Sequence, residues 1–482
     1  MDEKRKILIL GAGPCGLSAG WKLSIANNHV IFVEKEAQVG GLCQTIRHGE
    51  YHFDLGGHRF ITQNVELAKE IYNLMSDEVI TRDRKSTIRL QGKYFSYPLE
   101  AKDLVTKLKL SVSIKCFFDY IVATISRKLL NKKDVSFEDW VVNRFGRSLY
   151  NIYFGPYSEK LWGVKPTLIS SDWAAQRISL LNLWDVFKRL LGKKKNAPKT
   201  YATKFYYPEK GIGRIPERMA EIVSENKGDF FLSYNVKKIK RNGNKITSVI
   251  IFSDNEEKEI SADFIISTIP LPEFIQKLDP PAPDHLIQVS KKMTFRALIF
   301  LNILLDKEIV SDNTWIYIPE SEYLFMRIQE PKNWSPHSSP AHKTSLILEI
   351  ACNIGDKIWN ADKKAIYERC INDLSKIGFK DIKENTIEYF ITKTEHAYPI
   401  YRLDYKDHLR AAIPFINSFE NLICCGRQGL FRYNNMDHSI EMGLLAAEHI
   451  LFGLPKTEIL RIASDEEIFE HDARQAKIES LE

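Results

Sequence analysis

The stretch KILILGAGPCGL, residues 6–17, decides the fold. Its first five residues read as a strand buried on both faces, because the apolar side chains run on without alternating. The strand breaks into Gly11-x-Gly13-x-x-Gly16 and a helical stretch as far as Ile25, and a second strand at residues 29–33 ends in Glu34. Gly11 permits the tight turn, Gly13 lets the backbone approach a pyrophosphate, and Gly16 lets the helix pack on the strand. The helix start offers free N–H groups and the positive end of its dipole to phosphates. Glu34 follows Gly16 by 18 residues, where a carboxylate accepts hydrogen bonds from ribose hydroxyls. Strand, turn, helix and acid in register specify a βαβ unit that binds a dinucleotide.

Beyond Glu34 come Lys35 and the paired glycines Gly40 and Gly41 before Leu42. Paired glycines let a backbone pass close against a cofactor. Residues 64–190 read as mostly helical, with a capping-box start at Ser136-Phe-Glu-Asp. Residues 188–199, basic with Gly and Pro, read as a solvated loop. Residues 229–275 alternate as strands around the turn at Asn242-Gly-Asn-Lys and finish in a buried strand, ADFIISTIP. Residues 293–350 alternate again, as an antiparallel sheet. A last strand at 421–425 leads through Gly426-Arg-Gln-Gly into a helix from about Asp437 to Leu451. The fold class is therefore α/β. A Rossmann-like dinucleotide domain (1–62, 205–275 and 416–455) is interleaved with a mainly helical insertion (63–204) and an antiparallel-sheet substrate domain (276–415), and residues 456–482 form a tail.

At 482 residues the chain exceeds what one hydrophobic core supports, about 250–300 residues, so at least two domains are required. Hydrophobic residues at 44% and charged residues at 27% exclude disordered and fibrous classes. The 68 Lys and Arg against 62 Asp and Glu leave +6, too little to call for nucleic acid and compatible with anionic small molecules. Seven cysteines without a C-x-x-C point to neither a disulfide framework nor a zinc site, and suit a reducing, cytoplasmic compartment. The charged N-terminus passes straight into the first strand, unlike a secretory signal. No metal-binding, Walker A or Ser-His-Asp pattern appears. No apolar run reaches the ~18 residues of a membrane span. The nearest, residues 110–130, is broken by Lys115, Asp119, Arg127 and Lys128. Val112, Cys116, Phe117, Tyr120, Ile121, Ile125 and Leu129 recur there at helical spacing, which suits a buried amphipathic helix or, with basic flanks, a monotopic membrane contact.

GAGPCG, VGGLC, FDLGGHRF (53–60), ADFIISTIP and the closing GRQGLFRYNNMDHS carry a resemblance that runs almost end to end. The chain resembles the flavoprotein superfamily of protoporphyrinogen oxidase, the amine oxidases and UDP-galactopyranose mutase. The resemblance implies non-covalent FAD, held by the glycines, acid and loop already named together with Gly56, Gly57 and His58 beside flavin N5. It also implies FAD contacts at Val236, at Arg427 on the pyrophosphate, and at Met436 and Asp437. A helix beginning at Asp437 would aim its positive end at the flavin and favour the reduced anion. Two glycines before His58 allow a carbonyl to flip with redox state.

Within that superfamily, FEDWVVNRFG (137–146), PYSEKLWGV (156–164), WAAQR (173–177), Trp315-Ile-Tyr317 with Arg327, Ala397-Tyr398-Pro399 and Phe431-Arg-Tyr433 look like the eukaryotic-type UDP-galactopyranose mutases in order and spacing. There the positions matching Arg177 and Arg327 hold the nucleotide-sugar diphosphate, those matching Tyr398 and Tyr433 hydrogen-bond it, and Tyr317 lies at the substrate. With Trp162 and Trp315 these form the implied substrate site, and His58, Arg177, Arg327, Tyr398 and Tyr433 the implied catalytic set. Guanidinium forks suit a diphosphate, and tyrosines add donors without charge. The chain departs from the mutases at Trp334, where they carry tyrosine, at Ala202 and Thr203, where they carry an asparagine, and at Arg59, where they are apolar. These departures resemble instead bacterial protoporphyrinogen-oxidase-like flavoproteins. The resemblance implies a redox-neutral pyranose/furanose mutase of polysaccharide biosynthesis, acting with reduced FAD as nucleophile and with NAD(P)H as a suitable external reductant. The alternative is an oxidoreductase that removes hydride from an amine, porphyrinogen or polyene.

Overall fold

Strand β1 (Lys6–Leu10) has four consecutive apolar residues with no exposure at all, because it lies in the middle of a five-stranded parallel sheet covered on both faces. The computed structural model describes residues 4–97, 99, 101–130, 132–178, 204–254 and 256–462. On one side β1 pairs with β2 (His29–Glu34), and beyond that lies Asp229–Leu232. On the other it pairs with Phe264–Ser267, followed by Leu422–Cys424. The nucleotide sheet is thus assembled from the beginning, middle and end of the chain, as the interleaved sequence pattern implied.

Helix α1 (Pro14–Ile25) connects β1 to β2, with proline in its first turn where no N–H is needed. It packs against the helix Met436–Phe452 at close range. A Cβ at Gly443 would stand 2.1 Å from the Cys15 carbonyl oxygen and from Ser18 Oγ, and Ser18 Oγ donates to the Ile440 carbonyl at 2.9 Å. The hairpin of Asn235–Asn242 and Lys245–Ser253 turns at Gly243, whose φ of +56° is the left-handed conformation that glycine adopts at no steric cost.

A seven-stranded sheet builds the rest of the molecule around Phe295–Leu305 and Thr344–Cys352. It is mixed rather than purely antiparallel, since Trp315–Tyr317 pairs parallel with Ser86–Leu90. That strand, with Val79–Asp83 and Lys93–Ser96, interrupts a stretch that is otherwise mostly helical over its described residues, as the sequence reading has it. The three strands are short, and two of them find partners more than a hundred residues away, at Lys204–Pro208 and Trp315–Tyr317, so local periodicity carries little trace of them. Helices follow at Leu110–Leu130, Phe137–Phe145, Gly155–Trp162 and Ser171–Arg177. Ser136 opens the second of these by a capping box: Asp139 N donates to Ser136 Oγ at 3.1 Å, and Ser136 N to Asp139 Oδ2 at 3.0 Å.

All seven cysteines are free thiols, with Cys15 Sγ 3.3 Å from Cys425 Sγ. Among the described residues no helix is long and apolar enough to cross a membrane, and no cluster of His, Cys, Asp and Glu could hold a metal ion. The basic stretch 188–199, Ala202 and Thr203, and the tail past 462 lie outside the described residues.

Candidate active site

At the carboxyl end of β1 a cleft of about 340 Å³ runs from Gly11 past Glu34 to His58 and Arg427. Gly11, at φ +99°, turns the chain out of the strand. Gly13 caps α1 without a side-chain hydrogen bond, and a Cβ added to it would meet nothing within 4 Å. The first-turn N–H groups of α1 therefore have room for an anion. Glu34 is buried, and its carboxylate accepts from Ala12 N at 2.7 Å and from Glu36 N at 3.0 Å. Burial raises its carboxyl above the usual range, and these two N–H groups oppose the rise. It pins the phosphate turn and keeps lone pairs for ribose hydroxyls.

Gly41 closes against the turn, since a Cβ there would be 3.1 Å from Gly13 Cα, and Gly40 N donates to the Ala12 carbonyl at 2.8 Å. Lys35, Leu42, Val236 and Met436 line the same cleft. Gly16, Gly40, Gly56, Gly57 and Asp437 stand behind its wall: Gly16 lies where a Cβ would be 2.2 Å from the Gly11 oxygen, and Asp437 is buried in the first turn of Met436–Phe452. An uncapped helix start, an open glycine and a buried acid at the end of the next strand fit an adenine dinucleotide. Purified protein is expected to be yellow and to release unmodified FAD on acid precipitation. Glu34→Ala, by removing a charged acceptor, is expected to weaken FAD about 10- to 150-fold, the equivalent of about 1.5–3 kcal/mol. Protein that gains no flavin absorption on reconstitution with FAD would overturn this assignment.

The loop carrying His58 joins the cleft to a second group of residues. Its backbone turns at Gly56 (φ +91°), and His58 N donates to the Gly56 carbonyl at 2.9 Å. Burial, with Arg427 and Arg327 nearby, pushes the His58 imidazole down to about 3, so it is neutral at physiological pH. A Cβ at Gly57 would fall 2.1 Å from the Trp315 ring, so the loop lies directly on that indole.

Around this point the fold gathers Trp162, Trp315, Tyr317, Arg327, Tyr398 and Tyr433. Arg327 donates to Tyr398 Oη at 2.9 Å, and Tyr398 stacks on Tyr433 at 5.6 Å. Arg427 lies over the Tyr433 ring at 4.7 Å and donates to the carbonyls of Asn434 and Ala397. Trp162 meets Tyr398 edge-on at 5.9 Å, and Trp315 and Tyr317 stand 6.2 Å apart. Burial raises the Tyr398 phenol above its usual range against the pull of Arg327, which leaves it a neutral donor. Arg177 ends its helix, and its side chain lies outside the described residues.

Sequence reading missed Glu349. This fully buried carboxylate sits 2.5 Å from Arg327, accepts from Gln329, and takes a hydrogen bond from the Gly57 backbone. Burial pushes its carboxyl up, and Arg327 beside it holds the rise back. Burial opposes the charge on Arg327 in turn, yet Glu349 keeps the guanidinium firmly protonated. The signal was a lone acid inside the apolar run TSLILEIAC (344–352). Trp173 was also missed; it packs against Trp162 at 4.5 Å and Tyr433 at 4.6 Å. Of the departures from the mutases, Trp334 backs Trp315 edge-on at 4.8 Å and donates to the Thr314 carbonyl, while Arg59 lies 5.3 Å over the Trp315 ring.

Four buried polar atoms of this group, His58 Nδ1, Trp162 Nε1, Trp315 Nε1 and Arg327 Nε, have no hydrogen-bond partner among the described residues. Each such atom costs about 1–3 kcal/mol unless something fills it. The Trp162, Trp315 and Arg327 nitrogens are donors, and they lie beside the residues that line the dinucleotide cleft.

A family model described as flavin containing amine oxidoreductase matches residues 14–451. The 1-hydroxycarotenoid 3,4-desaturase of Flavobacterium sp. (strain P99-3) is 27% identical over 326 residues, 61% of this chain and 63% of the desaturase, so the match spans less than two thirds of that relative. Reduced UDP-galactopyranose mutase superposes with a TM-score of 0.82 at 23% identity, covering 96% of this chain and 97% of the mutase. Putrescine oxidase bound to putrescine gives 0.64 at 16% identity, over 93% and 99%. At these identities the two structures share the fold.

Proposed function

Because the chain belongs to the flavin containing amine oxidoreductase family and is an FAD-dependent enzyme, we propose that it is a mutase interconverting pyranose and furanose forms of a nucleotide-diphosphate sugar, of the kind polysaccharide biosynthesis consumes. The observation that carries this reading is the set of unpaired donors on Arg327, Trp162 and Trp315, backed by the hydroxyls of Tyr398 and Tyr433. Donors without matching acceptors suit a ligand rich in oxygen and negative charge. The guanidiniums of Arg59, Arg327 and Arg427, each lying over or beside an aromatic ring of this group, add positive field. Arg59, absent from the mutase pattern, extends that field.

In this reading Arg327 holds the diphosphate as a fork, with Glu349 fixing its plane and Tyr398 and Tyr433 adding neutral hydrogen bonds. Arg177 is the implied second diphosphate ligand. The indoles of Trp162 and Trp315 enclose the sugar and exclude water. His58, neutral, offers an imidazole nitrogen without repelling the arginines. Reduced FAD, when bound, supplies nucleophilic chemistry without net electron transfer.

Titration of the anaerobically reduced protein with UDP, TDP and GDP sugars, followed by flavin fluorescence, tests the reading. Saturable binding of at least one is expected. A protein that binds none, and whose flavin is bleached by an amine or polyene, is the second reading: a hydride-removing oxidoreductase, favoured by the match to the carotenoid desaturase.

A further inference from the structure

The helix Leu110–Leu130 contacts the protein with one face and has another apolar face that no described residue covers. Of the nineteen large apolar side chains exposed among the described residues, eight lie on this helix. Leu110, Ile114, Phe117, Phe118, Val122, Ile125 and Leu129 fall within an arc of about 140° at 100° per residue. Exposure reaches 61% at Phe118 and 77% at Leu129. The stripe is distinct from the one turned inward, where Val112 and Cys116 pack on the core. Asp119 anchors the inner side by accepting from Ser148 N at 2.8 Å and Ser148 Oγ at 2.6 Å.

Charge around the stripe has one sign. Lys109, Lys115, Arg127, Lys132 and Lys133 are exposed. The two acids of residues 109–135 are both engaged inward, Asp119 as above and Asp134 with Asn143 and Arg144. A helix about 31 Å long, apolar along its outer face and flanked by cations, cannot span a bilayer but suits the boundary between headgroups and acyl chains.

We propose that this helix docks the enzyme on an anionic membrane surface, with Phe118, Val122, Ile125 and Leu129 entering the acyl boundary and Lys115, at the edge of the stripe, and Lys132 and Lys133, just past the helix end, meeting phosphate headgroups. The inference is independent of the substrate and goes beyond the catalytic reading. The test is co-sedimentation of the FAD-loaded full chain with vesicles of phosphatidylcholine, or of phosphatidylcholine mixed with phosphatidylglycerol. Binding to the mixed vesicles is expected to be about tenfold stronger and to weaken with added salt. The double variant Phe118→Glu and Leu129→Glu should abolish it while keeping the parent flavin spectrum. Lys115→Glu with Lys133→Glu should weaken binding by about fivefold or more per cation. Amide exchange of the unaltered protein at residues 110–130 should slow on mixed vesicles, a readout that does not depend on how the variants fold. Absence of binding to both vesicles, unchanged exchange, or a vesicle-free dimer that the Phe118/Leu129 variant dissociates would overturn the proposal. The dimer would assign the face to a second copy of the chain.

Discussion

Reduced enzyme is expected to interconvert a nucleotide-linked pyranose and furanose over many turnovers, and oxidised enzyme is expected to do so at no measurable rate. The two readings of this site share every residue and differ in the direction of electrons, so redox state separates them more cleanly than any substitution. A mutase consumes no stoichiometric reductant: one reduction by dithionite or NAD(P)H should sustain continuous sugar turnover. A hydride-removing oxidase begins oxidised, loses colour with its substrate and regains it with oxygen or a quinone. Anaerobic incubation of both forms, analysed by chromatography of the sugar nucleotides, reads the difference. Equal activity in the two forms would end the mutase reading. The adaptable element is the Gly56-Gly57-His58 loop, held from beneath by Glu349 through the Gly57 N–H.

Arg327→Ala is expected to cost about 2–5 kcal/mol of sugar-nucleotide binding, a loss of roughly 30- to 5000-fold, with FAD still bound. The substitution removes more than a phosphate contact, because it leaves Glu349, fully buried, without the guanidinium that faces it at 2.5 Å. Its carboxyl, already raised by burial, should rise further and take up a proton, which weakens its hold on the Gly57 backbone. Pairing Arg327→Ala with Glu349→Gln separates the two effects. The double variant should regain thermal stability and still fail to bind the sugar nucleotide, whereas Arg327→Lys should keep the charge and lose the fork. Calorimetric titration with the best-binding sugar nucleotide and thermal melts of all variants check this. An Arg327→Ala protein with unchanged affinity would place the diphosphate elsewhere.

The nucleotide half of the site was legible because its chemistry is written in backbone conformation. Gly11 and Gly16 sit where a Cβ would clash, Gly13 leaves open room at the helix start, and Glu34 ends a strand whose apolar run announces it, so sequence and geometry coincide. The candidate substrate group was suggested by family resemblance alone, because Trp162, Arg327 and Tyr398 lie on three separate elements, Tyr433 lies on the loop before Met436–Phe452, and no local periodicity joins them. Glu349 escaped because its role depends on the partner strand Arg327–Gln329 and on a loop some 290 residues earlier in the chain. The same distance hid the three short strands of residues 79–96. The helix at 110–130 was read from a set that mixes two stripes, Val112 and Cys116 with Phe117, Ile125 and Leu129, and the two separated only once the neighbours of each turn were fixed.

The order of strands in the nucleotide sheet also bears on how the protein is made. β1 emerges first from the ribosome, yet one of its neighbours is Phe264–Ser267, that strand's other neighbour is Leu422–Cys424, and α1 rests on the helix Met436–Phe452. At about 5–20 residues per second, roughly 20–85 s pass between synthesis of β1 and of its last sheet companion. Throughout that interval a strand of unbroken apolar residues has an unpaired edge, the condition that recruits chaperones. The cofactor cleft includes Arg427, Asn435 and Met436, so it is complete only once the chain has been made past residue 436. A complete flavin site therefore requires strands and loops made more than 400 residues apart, and the first strand alone offers only its phosphate turn.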